Sequence, residues 1–177
     1  MATALKDVYS IEFLTQLGTT ITDHDSSFDT SKFIQATVND GWSELKLMER
    51  RDRITQALHH QLPSDFKQAT KVLCAISTTI TGFAALCLPN YVAMYGQNDW
   101  QTSMTALGTL TKTSSSEFAI RPFLIESPEK TIQQMLTWSQ SENEDQRRLA
   151  SEGIRPRLPW GIRLRQFIVD PAPIFQY

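Results

Sequence analysis

The chain has 177 residues, 17 basic and 19 acidic side chains and a net charge of −2, with 41% apolar residues. These totals suit one domain with a substantial core and exclude wholesale coating of nucleic acid by charge, though not a local basic face. No stretch approaches the run of about 18 apolar residues that a membrane span requires, and the N-terminus shows no cleavable signal pattern, so a cytoplasmic protein is expected. Cys74 and Cys87 lie among apolar residues without metal-ligand spacing and are expected to be free, buried thiols.

In chain order, most of the sequence reads at helical period. Asp7 to Thr19 aligns Val8, Ile11, Phe13, Leu14 and Leu17 on one face, which predicts a first helix. The acid-rich stretch Asp23 to Ser31 predicts a loop ending in a cap, followed by a short helix that Asp40-Gly41 stops. Glu44 to His60 is the best amphipathic segment, with Leu45, Leu47, Met48, Ile54 and Leu58 inward and Glu49, Arg50, Arg51 and Arg53 outward. Pro63-Ser64-Asp65 closes it and caps a helix running to about Thr79. Pro89 suits the first turn of a helix that ends at Gly96. Short helices are then predicted over about 99–111, 114–126, 128–139, 143–152 and 160–169, with Ser127-Pro128-Glu129 a start signal and Gly153 a stop.

Connections this short force neighbouring helices to pack antiparallel. An offset of about 31 residues sets Leu107 on Trp138, Phe118 on Leu149 and Ala119 on Ala150, a weak repeat of solenoid length. The expected fold is all-α: a HEAT/ARM-like right-handed superhelix of antiparallel helix pairs, an α-solenoid. It forms a single domain over 1–177, with an N-terminal helix and loop (1–30), the repeats (31–173) and a short tail (174–177).

The stretch from Gln146 to Arg165 holds six arginines (147, 148, 155, 157, 163, 165) against one acid, Glu152. Planar guanidinium forks on a turn stiffened by Pro156 and Pro159 suit phosphate reading, and they equally suit the stitching of one helical layer to the next. Glu152 is misplaced in the last turn of a helix, where the macrodipole disfavours a carboxylate. Arg148 or Arg155 could compensate it in a structural pair, or a cleft could hold it for a cationic ligand. Glu117 fits a capping box with Ser114, and Arg121 lies one turn on, positioned to pair with it. Trp160 is either a core wedge or an aromatic face for a cation, while Trp42 and Trp138 read as packing. His59-His60 reads as the polar end of a helix, with no further metal ligand at a useful spacing.

Four stretches carry a family resemblance: ELKLMERRDRITQALHHQLPSDF (44–66), LPNYVAMYGQNDWQTSMTALGTLT (88–111), SSSEFAIRPFL (114–124) and RRLASEGIRPRLPWGIRLRQFIVDPAP (147–173). Over about residues 30–173 the chain resembles the HEAT-like repeat DNA glycosylases that excise alkylated bases, most closely their AlkC branch. The resemblance implies a helical superhelix cradling duplex DNA that carries cationic, 3-methyladenine-like bases, with no metal or organic cofactor and no membrane. It further implies that Glu117 and Glu152 are the catalytic acids and Trp160 the lesion-binding aromatic. Arg121, Arg147, Arg148, Arg155, Arg157 and Arg163 are the DNA-binding residues it implies.

The family continues beyond its DPxP motif, whereas Asp170-Pro171-Ala172-Pro173 is followed here by four residues. The C-terminal repeats are therefore expected to be absent; the leading expectation is still a DNA glycosylase, whose full catalytic power those repeats would support. The last helix is expected to be covered by the Ile174–Tyr177 tail or by self-association. The rival readings are a catalytically impaired DNA-binding scaffold and a protein-interaction scaffold.

Overall fold

The computed structural model describes residues 4–174. They form α-helices and short 3-10 turns without a strand, as an all-α fold requires. α1 (Ile11–Thr22) begins at Ser10, whose hydroxyl accepts from the Phe13 N–H. The predicted first helix is therefore divided into a 3-10 turn (Leu5–Val8) and α1. The other helices are α2 (Thr30–Thr37), α3 (Leu47–His59), α4 (Phe66–Ile76), α5 (Cys87–Tyr95), α6 (Trp100–Leu110), α7 (Arg121–Glu126), α8 (Pro128–Ser139), α9 (Glu144–Gly153) and α10 (Arg165–Val169).

Local chemistry fixes most starts. Asp29, Asp65, Asp99 and Asn143 each accept from a backbone N–H three residues on, and Pro128 opens α8. Apolar stripes then pair the helices: α1 on α2, α3 on α5, α4 on α6, and α8 on α9. One core runs from Leu14 and Leu17 through Leu73, Tyr91 and Leu107 to Met135 and Leu149, all buried. Each such side chain contributes about 1.5–3 kcal/mol of burial. Trp138 is also buried, as expected, and Trp42 lies partly buried at the rim. Cys74 and Cys87 are unpaired thiols, pushed by burial up to about 11 and about 12. Cys74 is only half-buried.

Three expectations are corrected. Arg50 is buried, not outward: its guanidinium lies 4.8 Å over the Trp42 ring and donates to Lys6 O and Asp7 Oδ1, tying the N-terminal turn to α3. The predicted helix over 114–126 forms only from Arg121, because Ser115 Oγ accepts from the Glu117 N–H and Ser116 donates to Leu107 O, offering the chain non-helical partners. The predicted helix over 160–169 begins only at Arg165.

Ile168 and Val169 of α10 are exposed, and the tail expected to cover that helix lies, beyond Ile174, outside the described residues. Among those residues no helix is long and apolar enough to cross a membrane.

Candidate functional site

Two hollows share the ring of Phe118 as a wall. The first, about 420 Å³, lies between the 82–86 loop, the 111–118 loop and α9, and is lined by Phe83, Lys112, Glu117, Asp145 and Arg148. The second, about 240 Å³, lies between α3, α5 and the 160–162 turn, and is lined by Asp52, Asn90, Met94 and Trp160. A closed crevice lined by Arg51, Leu86, Asn90 and Ser115, too small for a water, shares walls with both, and the two hollows are together called the groove.

The first hollow depends on the irregular segment before α7. Gly82, with φ +76°, donates its N–H to Thr113 O at 2.8 Å, and Ser114 Oγ returns a bond to Gly82 O at 3.1 Å. Only glycine takes that backbone freely, and the two loops are thereby clipped together. Ser114 is spent on this clip and no helix starts there, so the capping-box reading of Glu117 is overturned. The Glu117 carboxylate, 12% exposed, pairs instead with Arg148 Nη2 across the hollow at 3.1 Å.

α9 presents Asp145, Arg148 and Glu152 at helical spacing. Glu152 sits one turn beyond Arg148, is 33% exposed, and is held by Arg155. That pair supplies the compensation its dipole position calls for. Glu152 does not line the first hollow. Along α9, then, Arg148 reaches to Glu117 while Arg155 returns to Glu152, and each predicted acid carries its own arginine.

Arg121 is the largest correction. It is 0% exposed, so it neither pairs with Glu117 nor reaches a ligand. Its Nη1 donates to Gly153 O (2.9 Å) and Arg155 O (2.8 Å), its Nη2 to Pro156 O (3.2 Å), and its Nε to Ile162 O. One planar fork thus gathers four carbonyls from the end of α9 and the turn after it. No carboxylate among the described residues pairs with it; burial lowers its pKa, yet a guanidinium stays protonated at neutral pH. Gly161 packs directly on it: a β-carbon there would stand 3.2 Å from the Arg121 side chain.

The turn so held projects Trp160, which is 61% exposed, and the core-wedge reading is overturned. Its φ of 63° is the one left-handed non-glycine backbone among the described residues, a conformation that costs on the order of 1 kcal/mol. Its ring meets Phe83 edge-on at 6.2 Å. Phe83 lines the first hollow and Trp160 the second, so the aromatic pair spans the groove.

Of the other predicted arginines, Arg147 is exposed but donates to Ser141 O and Glu142 O of its own hairpin. Arg148 and Arg155 are exposed and hold the acids. Arg157 and Arg163 are exposed and have no hydrogen-bond or ion-pair partner among the described residues. The structure therefore brings Glu117 and Arg148 together, sets Glu152 a turn away, and places Trp160 in the neighbouring hollow. Sequence reading missed Asp52, Asn90, Phe83 and Phe118. Only the aromatic character of the last two was a signal, and it is shared with the core.

No protein-family model matches the chain. YhaZ of Bacillus subtilis (strain 168), an uncharacterized protein, is 39% identical over 170 residues, covering 96% of this chain and 48% of the relative. The solved structure of Pseudomonas fluorescens alkylpurine DNA glycosylase AlkC, bound to DNA containing an abasic site analog, superposes with a TM-score of 0.93 at 40% identity. It covers 98% of this chain and 49% of that one. The chain spans about half the length of the relatives it matches.

Proposed function

The chain belongs to the AlkC-like branch of the HEAT-like repeat alkylbase DNA glycosylases, and on that premise we propose that its groove releases cationic alkylated bases from duplex DNA. The observation that carries this reading is the placement of Glu117: a carboxylate almost withdrawn from water, in the wall of a hollow, bound to an exposed arginine of α9.

In the proposed reaction an alkylated base such as 3-methyladenine is already positively charged. When the N-glycosidic bond breaks, the base leaves with the bonding electrons as a neutral molecule, and positive charge develops on the deoxyribose. A carboxylate fixed beside that sugar stabilises the charge, aligns a water for attack at the anomeric carbon, and accepts the proton the water loses. Glu117 and Glu152 are assigned these roles together, and Trp160 presents its ring to the cationic base. Arg148 and Arg155 each exchange their carboxylate for a backbone phosphate when duplex binds, which uncovers the acids. The Glu152–Arg155 pair is the more exposed and its exchange costs little, whereas Glu117, nearly buried, needs the developing positive charge of the sugar to replace Arg148. Arg157 and Arg163 add phosphate contacts, and duplex affinity falls with salt accordingly.

The test is release of free base from methylated duplex, with duplex binding measured in parallel. Glu117→Gln and Glu152→Gln should each lower release by about 10²-fold, the scale of removing one preorganised charge stabiliser. Duplex affinity should change little. Full activity in both variants would remove the carboxylates from the mechanism. Salt-sensitive duplex binding without any base release would favour a DNA-binding scaffold.

A further inference from the structure

The second hollow contains a third carboxylate. Asp52, on α3, faces it together with Trp160, Gly161 and Met94. Its Oδ1 accepts from Arg51 Nε (2.9 Å), Arg51 Nη2 (2.7 Å) and Asn90 Nδ2 (3.1 Å). Three donors converge on one oxygen, and Oδ2 has no hydrogen-bond partner among the described residues. The orientation is set from the core. Asn90 is buried and also donates to Thr55 Oγ1 (2.8 Å), and Thr55, fully buried, donates to Arg51 O and Cys87 O. Asp52 remains 44% exposed and Trp160 is more open still, so both are reachable from solvent.

The charged residues lining this hollow are one acid, Asp52, and one base, Arg51. Arg51 is its only basic lining residue, and that side chain is 13% exposed and already committed to Asp52. The first hollow holds two bases, Lys112 and Arg148, and two acids, Glu117 and Asp145, with Arg148 already paired to Glu117. A free carboxylate oxygen and an open indole face share one preference, a flat positive group that also carries an N–H.

We infer that the Asp52–Trp160 hollow is a cation subsite, in which Trp160 takes the face of a planar cationic heterocycle and Asp52 Oδ2 accepts an N–H from its edge. Asp52 is thereby a specificity-determining residue separate from Glu117 and Glu152. The inference rests on the proposed function for its natural occupant, an alkylated base, and on the geometry of the hollow for the preference itself.

The test uses the full chain, with 1-methyladenosine as a soluble planar cation and adenosine as its neutral counterpart, and affinities from calorimetry. The wild-type protein should prefer the cation by about tenfold, and the cation should shift the Trp160 indole N–H resonance, assigned by Trp160→Phe. Asp52→Asn keeps an acceptor for Arg51 and removes the charge, and should bring the preference close to unity at an unchanged melting temperature. If that variant melts early, the wild-type resonance shift still decides. Equal affinity for the two nucleosides, a silent Trp160 resonance, or undiminished preference in folded Asp52→Asn would overturn the subsite. Base release from methylated duplex, measured on the same samples, separates the two readings. Cation preference lost in Asp52→Asn without any release by wild type sinks the proposed function and leaves the subsite standing. Release by wild type with an unchanged preference in Asp52→Asn does the reverse.

Discussion

Helix α9 and the turn that follows it both deliver side chains to the groove, and they do so by opposite means. α9 is placed by apolar packing: Leu149 and Ala150 are buried against its neighbours, and helical period then sets Arg148 and Glu152 on the outer face. The turn from Ile154 to Leu164 contains no helix, and outside its two ends little of it is buried. It is placed by hydrogen bonds from one buried guanidinium to three of its carbonyls and to Gly153 O at the end of α9, together with its own Leu164 N–H to Pro156 O bond at 3.0 Å. Packing tolerates many apolar side chains of similar volume, whereas a fork with five donors has no substitute. The placements of Glu152 and Trp160 therefore differ in how much sequence change they survive.

That contrast is most directly broken at Arg121. Arg121→Met fills similar space but strands the carbonyls, and should cost about 3–5 kcal/mol and lower the melting temperature on the order of 10 °C. Arg121→Lys, with one ammonium in place of the fork, should fall between. A melting temperature within about 2 °C of wild type in Arg121→Met would show that the turn is held by something else.

A smaller effect sharpens the comparison at Trp160. Its left-handed backbone is natural only to glycine, so Trp160→Gly should be more stable than Trp160→Ala by about 1 kcal/mol in denaturant unfolding. Equal stabilities would mean that the turn relaxes once the ring is gone. The smallest effect separates a true cap from an apparent one. Asn143→Ala removes the N-cap of α9 and should cost about 1 kcal/mol. Ser114→Ala removes only a partly exposed loop bond and should stay within about 0.5 kcal/mol. The reverse order would restore the capping box that the sequence pattern suggests.

Where a helix start is written in its own cap, the sequence showed it: Asp65, Asp99, Pro128 and Asn143 all stand at or beside the observed boundaries. Ser114 to Glu117 has the same local pattern, but its hydroxyls find Gly82 O and Leu107 O, partners made available only by tertiary structure. Arg121 was misread for the same reason. Its acceptors lie 32 to 41 residues away and are backbone atoms, which leave no trace in residue identity. Glu117, Glu152 and Trp160 stood out by resemblance, and the local argument about Glu152 found its answer in Arg155. Asp52 gave no local sign, because an acid next to an arginine on an amphipathic helix looks like any solvated face.

Arg121 also acts as a ruler. It lies four residues beyond Glu117 in the chain, and its far end grips the turn that presents Trp160. The turn that carries Trp160 is thus tied to the segment that carries Glu117 by the covalent length of one side chain. Pulling the two apart would break several hydrogen bonds at once.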